Sequence, residues 1–359
     1  MIRSTRSKSI SSKLRRTVGL TSAVLLLAVL VSNLLLDGAS EQEAVKRRLQ
    51  SAANLVAQNS AAALYFNDVD AAIVYAKKLK ILADEVKDQM VVVMRTYFEK
   101  PRTIGGWKGL IIDPKMDGSY DITEGLKRAR KLLISITSLG LPVGAEMLDP
   151  IVPQYIDETL SWCSIGARTT ESQVHRTLAS GMSVAVGFKN STSGEVITAI
   201  NAIKSASLSA AFIGIDKMGS SAIYRTKGNK VGHLILRGGD HGPNYYDEEV
   251  EDAIESMKEI GVHPSIIIDC SHANSKKRFK RQERILTSVI DQVVRGRQEI
   301  RGFMVESNLF EGCQSIEDGP ELSYGVSVTD PCLGWEDTEK LIHSVAQTLR
   351  DKRKDGRNY

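Results

Sequence analysis

The sequence predicts an α/β protein built as a (β/α)8 barrel, preceded by an apolar helix. Three observations lead there. From about residue 69, short apolar runs alternate with helix-length amphipathic segments; a charged residue stands at or just past the C-terminal end of nearly every run; and no G-x-G-x-x-G loop follows an early strand. Alternation implies a parallel sheet covered on both faces. Charges recurring at one end fit a barrel, whose C-terminal face carries the chemistry, and the missing glycine loop argues against an open doubly wound sheet.

Composition sets outer bounds. The 359 residues, 42% apolar and 25% charged, are ordinary for a folded chain and leave room for one large domain with an added segment, or for two domains. The net charge of +4 is spread among acids without a basic, aromatic-interleaved stripe, which argues against nucleic acid as a partner. Cys163, Cys270, Cys313 and Cys332 lie far apart with no C-x-x-C pair, so reduced thiols are expected in place of a zinc knuckle or a disulfide framework.

At the N-terminus, residues 17–36 (TVGLTSAVLLLAVLVSNLLL) carry no charge. That is about the ~20 residues a helix needs to cross a bilayer. The flank before it holds Arg3, Arg6, Lys8, Lys13, Arg15 and Arg16 and no acid, which predicts a single-pass membrane protein with the remainder facing outward. A cleaved signal peptide is the rival reading, against which stand the length of the run and the lack of a clear A-x-A site. Residues 37–67 read as a helical stalk, with Val45, Leu49, Ala52, Leu55 and Val56 at helical spacing. The segment A-x-N-S-x-A-A-L-x-F within it resembles the opening of extracytoplasmic sensor regions in membrane-bound signalling proteins. The expected domains are 1–36, 37–67 and 68–359.

Seven strands are legible in the last of these: 91–95, 141–148, 163–168, 184–189, 233–238, 265–270 and 302–307. The pair 210–216 and 221–226, with Gly219 between, reads as an inserted hairpin. One barrel strand is unaccounted for.

The strand ends carry the chemistry. Arg95, Lys100, Arg102 with Thr103, Arg168, Lys189 and Arg237 all converge on one mouth if the strands do. So much like charge is costly unless anions neutralise it, and a guanidinium suits phosphate and carboxylate alike. Glu146 joins them at the third strand end. His272 follows a later strand, Glu306 ends the next, and Asp330 stands just before the final helix; one imidazole with two carboxylates suits Mn2+, Fe2+, Co2+ or Zn2+. Taken singly, His272 reads first as a hydrogen-bonded structural residue, and Asp330 also as a helix N-cap.

The stretches MRTYFEKPRTIGGWKGLIIDPKMDGSYDI, IGARTTESQVHR, GFKN, ILRGG, DCSHANSKK, VESN and YGVSVTDPC resemble the class I 3-deoxy-D-arabino-heptulosonate 7-phosphate (DAHP) synthase family, from about Asp68 to Arg350. The resemblance implies a TIM-type barrel transferase that condenses phosphoenolpyruvate with erythrose 4-phosphate and releases phosphate, at the head of aromatic amino acid (chorismate) biosynthesis. It implies that Arg95, Arg168, Lys189 and Arg237 hold phosphoenolpyruvate, and that Lys100, Arg102 and Thr103 take the aldose. His272, Glu306 and Asp330 become metal ligands. Lys100 becomes the donor to the nascent alkoxide, while Glu146 or a metal-bound carboxylate steers the water. A cytoplasmic homo-oligomer is also implied, against the outward orientation read from the N-terminal charges.

One junction departs from the family pattern. Its fourth ligand, a cysteine of G-P-C-S-x-H-D on the first strand, falls at Leu64 here. The expectation is a barrel whose first strand is replaced or missing, with SAAALYF as the candidate filler and Cys332 as a candidate substitute thiolate. Function is then a synthase, active or impaired; the alternatives are an inactive fusion remnant and a membrane-anchored phosphoenolpyruvate-binding module.

Overall fold

A strand buried on both faces needs a parallel neighbour on each side and a helix outside, and the alternation in this chain supplies both. The computed structural model describes residues 56–61, 69–99, 107–216, 218–316 and 322–354, all within the unit Asn54–Tyr359. The expected span 17–36 and the stalk ahead of residue 56 lie outside them, as do Leu64, Lys100, Arg102 and Thr103.

In chain order the elements are β1 (Val56–Ala61), α1 (Val69–Val86), β2 (Val91–Thr96), α2 (Ile122–Ser138), β3 (Val143–Glu146), the single turn α3 (Pro153–Ile156), β4 (Trp162–Ile165), α4 (Gln173–Gly181) and β5 (Ala185–Lys189). There follow α5 (Ile197–Ala206), β6 (Ala211–Ile215), β7 (Ser221–Arg225), β8 (Gly232–Leu236), α6 (Asp247–Ile260), β9 (Ile266–Asp269), α7 (Gln282–Val294), β10 (Ile300–Ser307) and α8 (Trp335–Lys354). Strands β1-β10-β9-β8-β5-β4-β3-β2 close a barrel, every pairing parallel, while β6 and β7 form the inserted antiparallel hairpin.

The place of the first strand is filled by Val56–Ala61, which begins four residues ahead of SAAALYF. It pairs with β10 from Val56↔Gly302 to Ala61↔Ser307 and with β2 from Val56↔Val91 to Ser60↔Arg95. The physical reason is the edge: without it, β2 and β10 would each present a row of unpaired backbone groups. The expected replacement is therefore there, but shifted from SAAALYF, and residues 56–61, expected at the end of a helical stalk, form a barrel strand because the two edges beside them need a partner.

Period two along each strand sorts residues between barrel interior and helix layer. Val92, Met94, Val143, Ala145, Cys163, Ile165, Val186, Phe188, Leu234, Leu236, Ile266 and Ile268 face outward into one large apolar cluster with the helices. Their alternates Val93, Trp162, Ile235, Ile267 and Met304 form a separate cluster inside the barrel. Two strands give this inner layer glycine because the large rings need the space. A Cβ on Gly144 would stand 2.9 Å from the Trp162 ring, and one on Gly187 would stand 2.4 Å from Ile235 and 2.7 Å from His233 Nε2. The indole N–H of Trp162 donates to His233 Nε2 at 3.0 Å, so the imidazole accepts there. Burial then drives the His233 pKa down to about 4.

Helix ends are fixed by ordinary devices. Asp121 caps α2 by accepting from Glu124 N, and α6 stops at Gly261, whose φ of +72° lets Val262 N reach Met257 O. All four cysteines are free; Cys163, Cys270 and Cys332 are buried and Cys313 is exposed.

Candidate active site

On β2, β3, β5, β9 and β10, continuing the inward-facing positions by one more step of two reaches the C-terminal end of the strand, where apolar residues give way to charge. Arg95 from β2, Glu146 from β3, Lys189 from β5, Asp269 from β9 and Glu306 from β10 meet there. The Arg95 Nη2 to Glu146 Oε2 distance is 3.2 Å, between side chains 5% and 7% exposed. Tyr97 adds its hydroxyl, donating to Glu146 Oε1 at 3.4 Å, and its ring faces the Arg95 guanidinium at 5.2 Å. Lys189 Nζ lies 3.9 Å from Glu146 Oε2 and 3.5 Å from Asp269 Oδ2. Burial and the neighbouring Arg95 charge hold the Lys189 ammonium below the usual lysine range. For Asp269 burial acts upward, yet His272, Lys189 and Arg95 together keep its carboxyl well below the usual carboxylate range.

The loop after β9 turns sharply: His272 has φ +49°, and Lys276 and Lys277 are also left-handed. That turn sets His272 Nδ1 2.8 Å from Asp269 Oδ2 and points Nε2 toward Glu306 Oε1 at 3.6 Å. Ser271 donates its hydroxyl to the other oxygen of Glu306 at 2.6 Å. Ligand atoms of His272, Glu306 and Asp330 lie within 4.8 Å of one another. One imidazole nitrogen and two carboxylate oxygens converging at that spacing could hold a divalent transition ion, and Asp269 Oδ2 lies against the other imidazole nitrogen.

The structure therefore brings together Arg95, Glu146 and Lys189 on one side, and His272, Glu306 and Asp330 on the other. Arg168 follows β4, and Arg237 follows β8 with its backbone N–H donating to Asn190 Oδ1 at 2.8 Å. Sequence reasoning passed over Asp269, which links the two sides; its signal was an acid closing the apolar run SIIID. It also passed over Tyr97, for which no spacing gave a signal, and Glu99, whose buried carboxyl is raised to about 7 by burial and by Asp149 and Glu146.

Fold and site define a barrel of the enzyme type, with buried cations at one end beside a His–Glu–Asp group that could hold a metal ion. The DAHP synthetase I family model matches residues 66–343, and the chain belongs to that family. It is 50% identical over 284 residues to the Tyr-sensitive phospho-2-dehydro-3-deoxyheptonate aldolase of Escherichia coli, covering 79% of this chain and 80% of that protein. The Phe-sensitive enzyme of the same organism is 50% identical over 287 residues, 80% of this chain and 82% of that one. A solved phospho-2-dehydro-3-deoxyheptonate aldolase from Francisella tularensis superposes with TM-score 0.82 at 42% identity, covering 88% of this chain and 91% of that one.

The membrane localisation read from residues 17–36 is corrected by these findings. Among the described residues no helix is long and apolar enough to cross a membrane. The relatives that match four-fifths of the chain are named as phospho-2-dehydro-3-deoxyheptonate aldolases. An uncharged run of that length met the hydropathy criterion, and the basic flank before it set the orientation; both are sequence patterns with no support in the described fold.

Proposed function

We infer that this protein condenses phosphoenolpyruvate with erythrose 4-phosphate to give DAHP and phosphate, the entry step of the shikimate pathway. The observation that carries the reading is family membership together with the buried convergence of Arg95, Glu146, Lys189, His272 and Glu306 at one end of the barrel.

In this reading Arg95, Arg168, Lys189 and Arg237 bind the carboxylate and phosphate of phosphoenolpyruvate, guanidinium forks matching both oxyanions. Glu146, fixed by Arg95 and Tyr97, orients the water that adds at C2. Lys100 donates a proton to the alkoxide formed as C3 attacks the aldehyde, and Arg102 and Thr103 hold the aldose phosphate. His272, Glu306 and Asp330 would hold the divalent ion, Mn2+, Fe2+, Co2+ or Zn2+ by donor type, which supplies Lewis acidity toward the aldehyde oxygen. The barrel that carries this work starts with β1, ahead of residue 68, so the proposed domain division moves upstream.

The test is the initial rate of phosphoenolpyruvate consumption with erythrose 4-phosphate and Mn2+, for the full chain and its Leu64→Cys variant. Formation of DAHP by the parent is expected, with faster turnover at low Mn2+ in the variant. Phosphoenolpyruvate binding without turnover in both proteins would overturn the enzyme reading in favour of a binding protein.

A further inference from the structure

Three buried asparagines, one from the loop after each of β5, β8 and β9, form one hydrogen-bonded set beneath the catalytic face. Asn190, Asn244 and Asn274 are 0%, 8% and 4% exposed. Asn190 Nδ2 donates to Ser191 O at 2.9 Å and Gly238 O at 3.0 Å, while its Oδ1 accepts from Arg237 N at 2.8 Å and from Asn244 Nδ2 at 3.2 Å. Asn244 Oδ1 accepts from Gly238 N at 2.7 Å, and Asn244 N donates to Asn274 Oδ1 at 2.8 Å. Asn274 Nδ2 donates to Asp269 O at 2.8 Å and Leu236 O at 3.2 Å.

The three loops also touch through bare backbone. Gly238, at φ +71°, has no room for a side chain: a Cβ would stand 2.7 Å from Asn274 N. At Gly239 a Cβ would stand 2.2 Å from Gly194 Cα. Asn274 N donates to Arg237 O, and Asp240 N to Thr192 O, both at 3.2 Å. A buried amide set of this kind is stable when fully satisfied and costly when partly so, so its members shift together or not at all.

Two of the asparagines adjoin working residues, and Asn244 joins those two. Asn190 follows Lys189 and holds the backbone of Arg237; Asn274 stands two residues past His272 and ties that left-handed turn to the ends of β8 and β9. We propose that Asn190, Asn244 and Asn274 are positioning residues that couple the anion-binding half of the site, Lys189 and Arg237, to the metal-side loop carrying His272, so that filling either half orders the other. The inference rests on the assignment of those two halves above. Such coupling is reciprocal between the two ligands.

Hydrogen–deuterium exchange on the full chain tests it, with Mn2+ alone and phosphoenolpyruvate alone as probes. In the parent, Mn2+ is expected to slow exchange over 190–195 and 237–245 as well as 270–278, and phosphoenolpyruvate to slow 270–278. Asn244→Asp keeps the oxygen that accepts from Gly238 N but sets a second oxygen against Asn190 Oδ1. In it, Mn2+ protection is expected to stay within 270–278, and the enhancement of each ligand's affinity by the other to fall by roughly fivefold or more. Asn244→Ser, whose shorter side chain loses the bond to Asn190, gives the same readout if the aspartate variant does not fold.

Protection spreading across all three loops in the folded variants, or stopping at 270–278 in the parent, overturns the proposal; absence of Mn2+ protection at 270–278 overturns the metal assignment and the coupling with it. DAHP formation without coupling sinks only the asparagine inference, whereas coupling without DAHP formation sinks only the enzyme reading.

Discussion

Asp269 Oδ2 stands 2.8 Å from His272 Nδ1, and this pairing leaves Nε2 as the imidazole nitrogen facing Glu306. Orienting carboxylates of this kind typically contribute 10- to 100-fold to metal affinity. Asp269→Asn is therefore expected to weaken Mn2+ binding by about that range with the barrel still folded. Calorimetric titration of both proteins checks it, and equal affinities would show the pairing to be incidental.

Arg95 and Glu146 form a pair almost closed to solvent. Removing one member of a buried pair strands the other charge and costs on the order of 3–5 kcal/mol. Arg95→Ala should lower stability by about that much in urea unfolding. The double variant with Glu146→Ala should regain part of the loss, because no carboxylate is then left stranded.

Two buried titrating groups work against each other in pH dependence. His233 has its pKa lowered to about 4 from 6.5, so the unfolded chain binds the extra proton between those values and stability is lost as pH falls through that window. Glu99 has its pKa raised to about 7 from 4.5, so the native state holds the extra proton and stability is lost as pH rises through its window. Between pH 4.5 and 6.5 the two slopes nearly cancel. Glu99→Gln should remove one of them, leaving melting temperature to climb from about pH 4 to 6.5 and raising stability at pH 8 by about 3 kcal/mol. A thermal-melt series over pH for parent and variant decides this; parallel curves would contradict it.

Gly125 lies in the first turn and a half of α2, where a Cβ would meet Ile111 O at 2.1 Å. Gly125→Ala ordinarily favours a helix, but here the helix must move off the loop it packs on. A net loss of about 1–3 kcal/mol is expected. A rise in denaturation midpoint would mean that the loop yields easily.

The parallel strands and the hairpin were legible because burial on both faces demands unbroken apolar runs, and these end within a few residues of the observed boundaries. β1 was not legible. VAQNSA has neither a β-branched run nor clean alternation, and its conformation follows from the two unpaired edges beside it. Of the site, His272 and Glu306 stood out at strand ends and Asp330 just before the last helix, and the fold brings the three together. Asp269 was hidden as the last letter of a strand, and the asparagine set was hidden because its members are 30 to 84 positions apart by residue number, joined by hydrogen bonds that no linear spacing records.

The hairpin β6–β7 interrupts the link between the end of α5 and the start of β8, so it emerges at the barrel end away from the strand termini that carry the charges. Lengthening such a link costs only slowly growing loop entropy, and Asn229 already ties its return to the backbone of Met182 and Val184. The architecture thus separates two kinds of evolutionary freedom: the reacting end tolerates little change in backbone, while the opposite end can accept whole new segments without altering a single charge in the mouth.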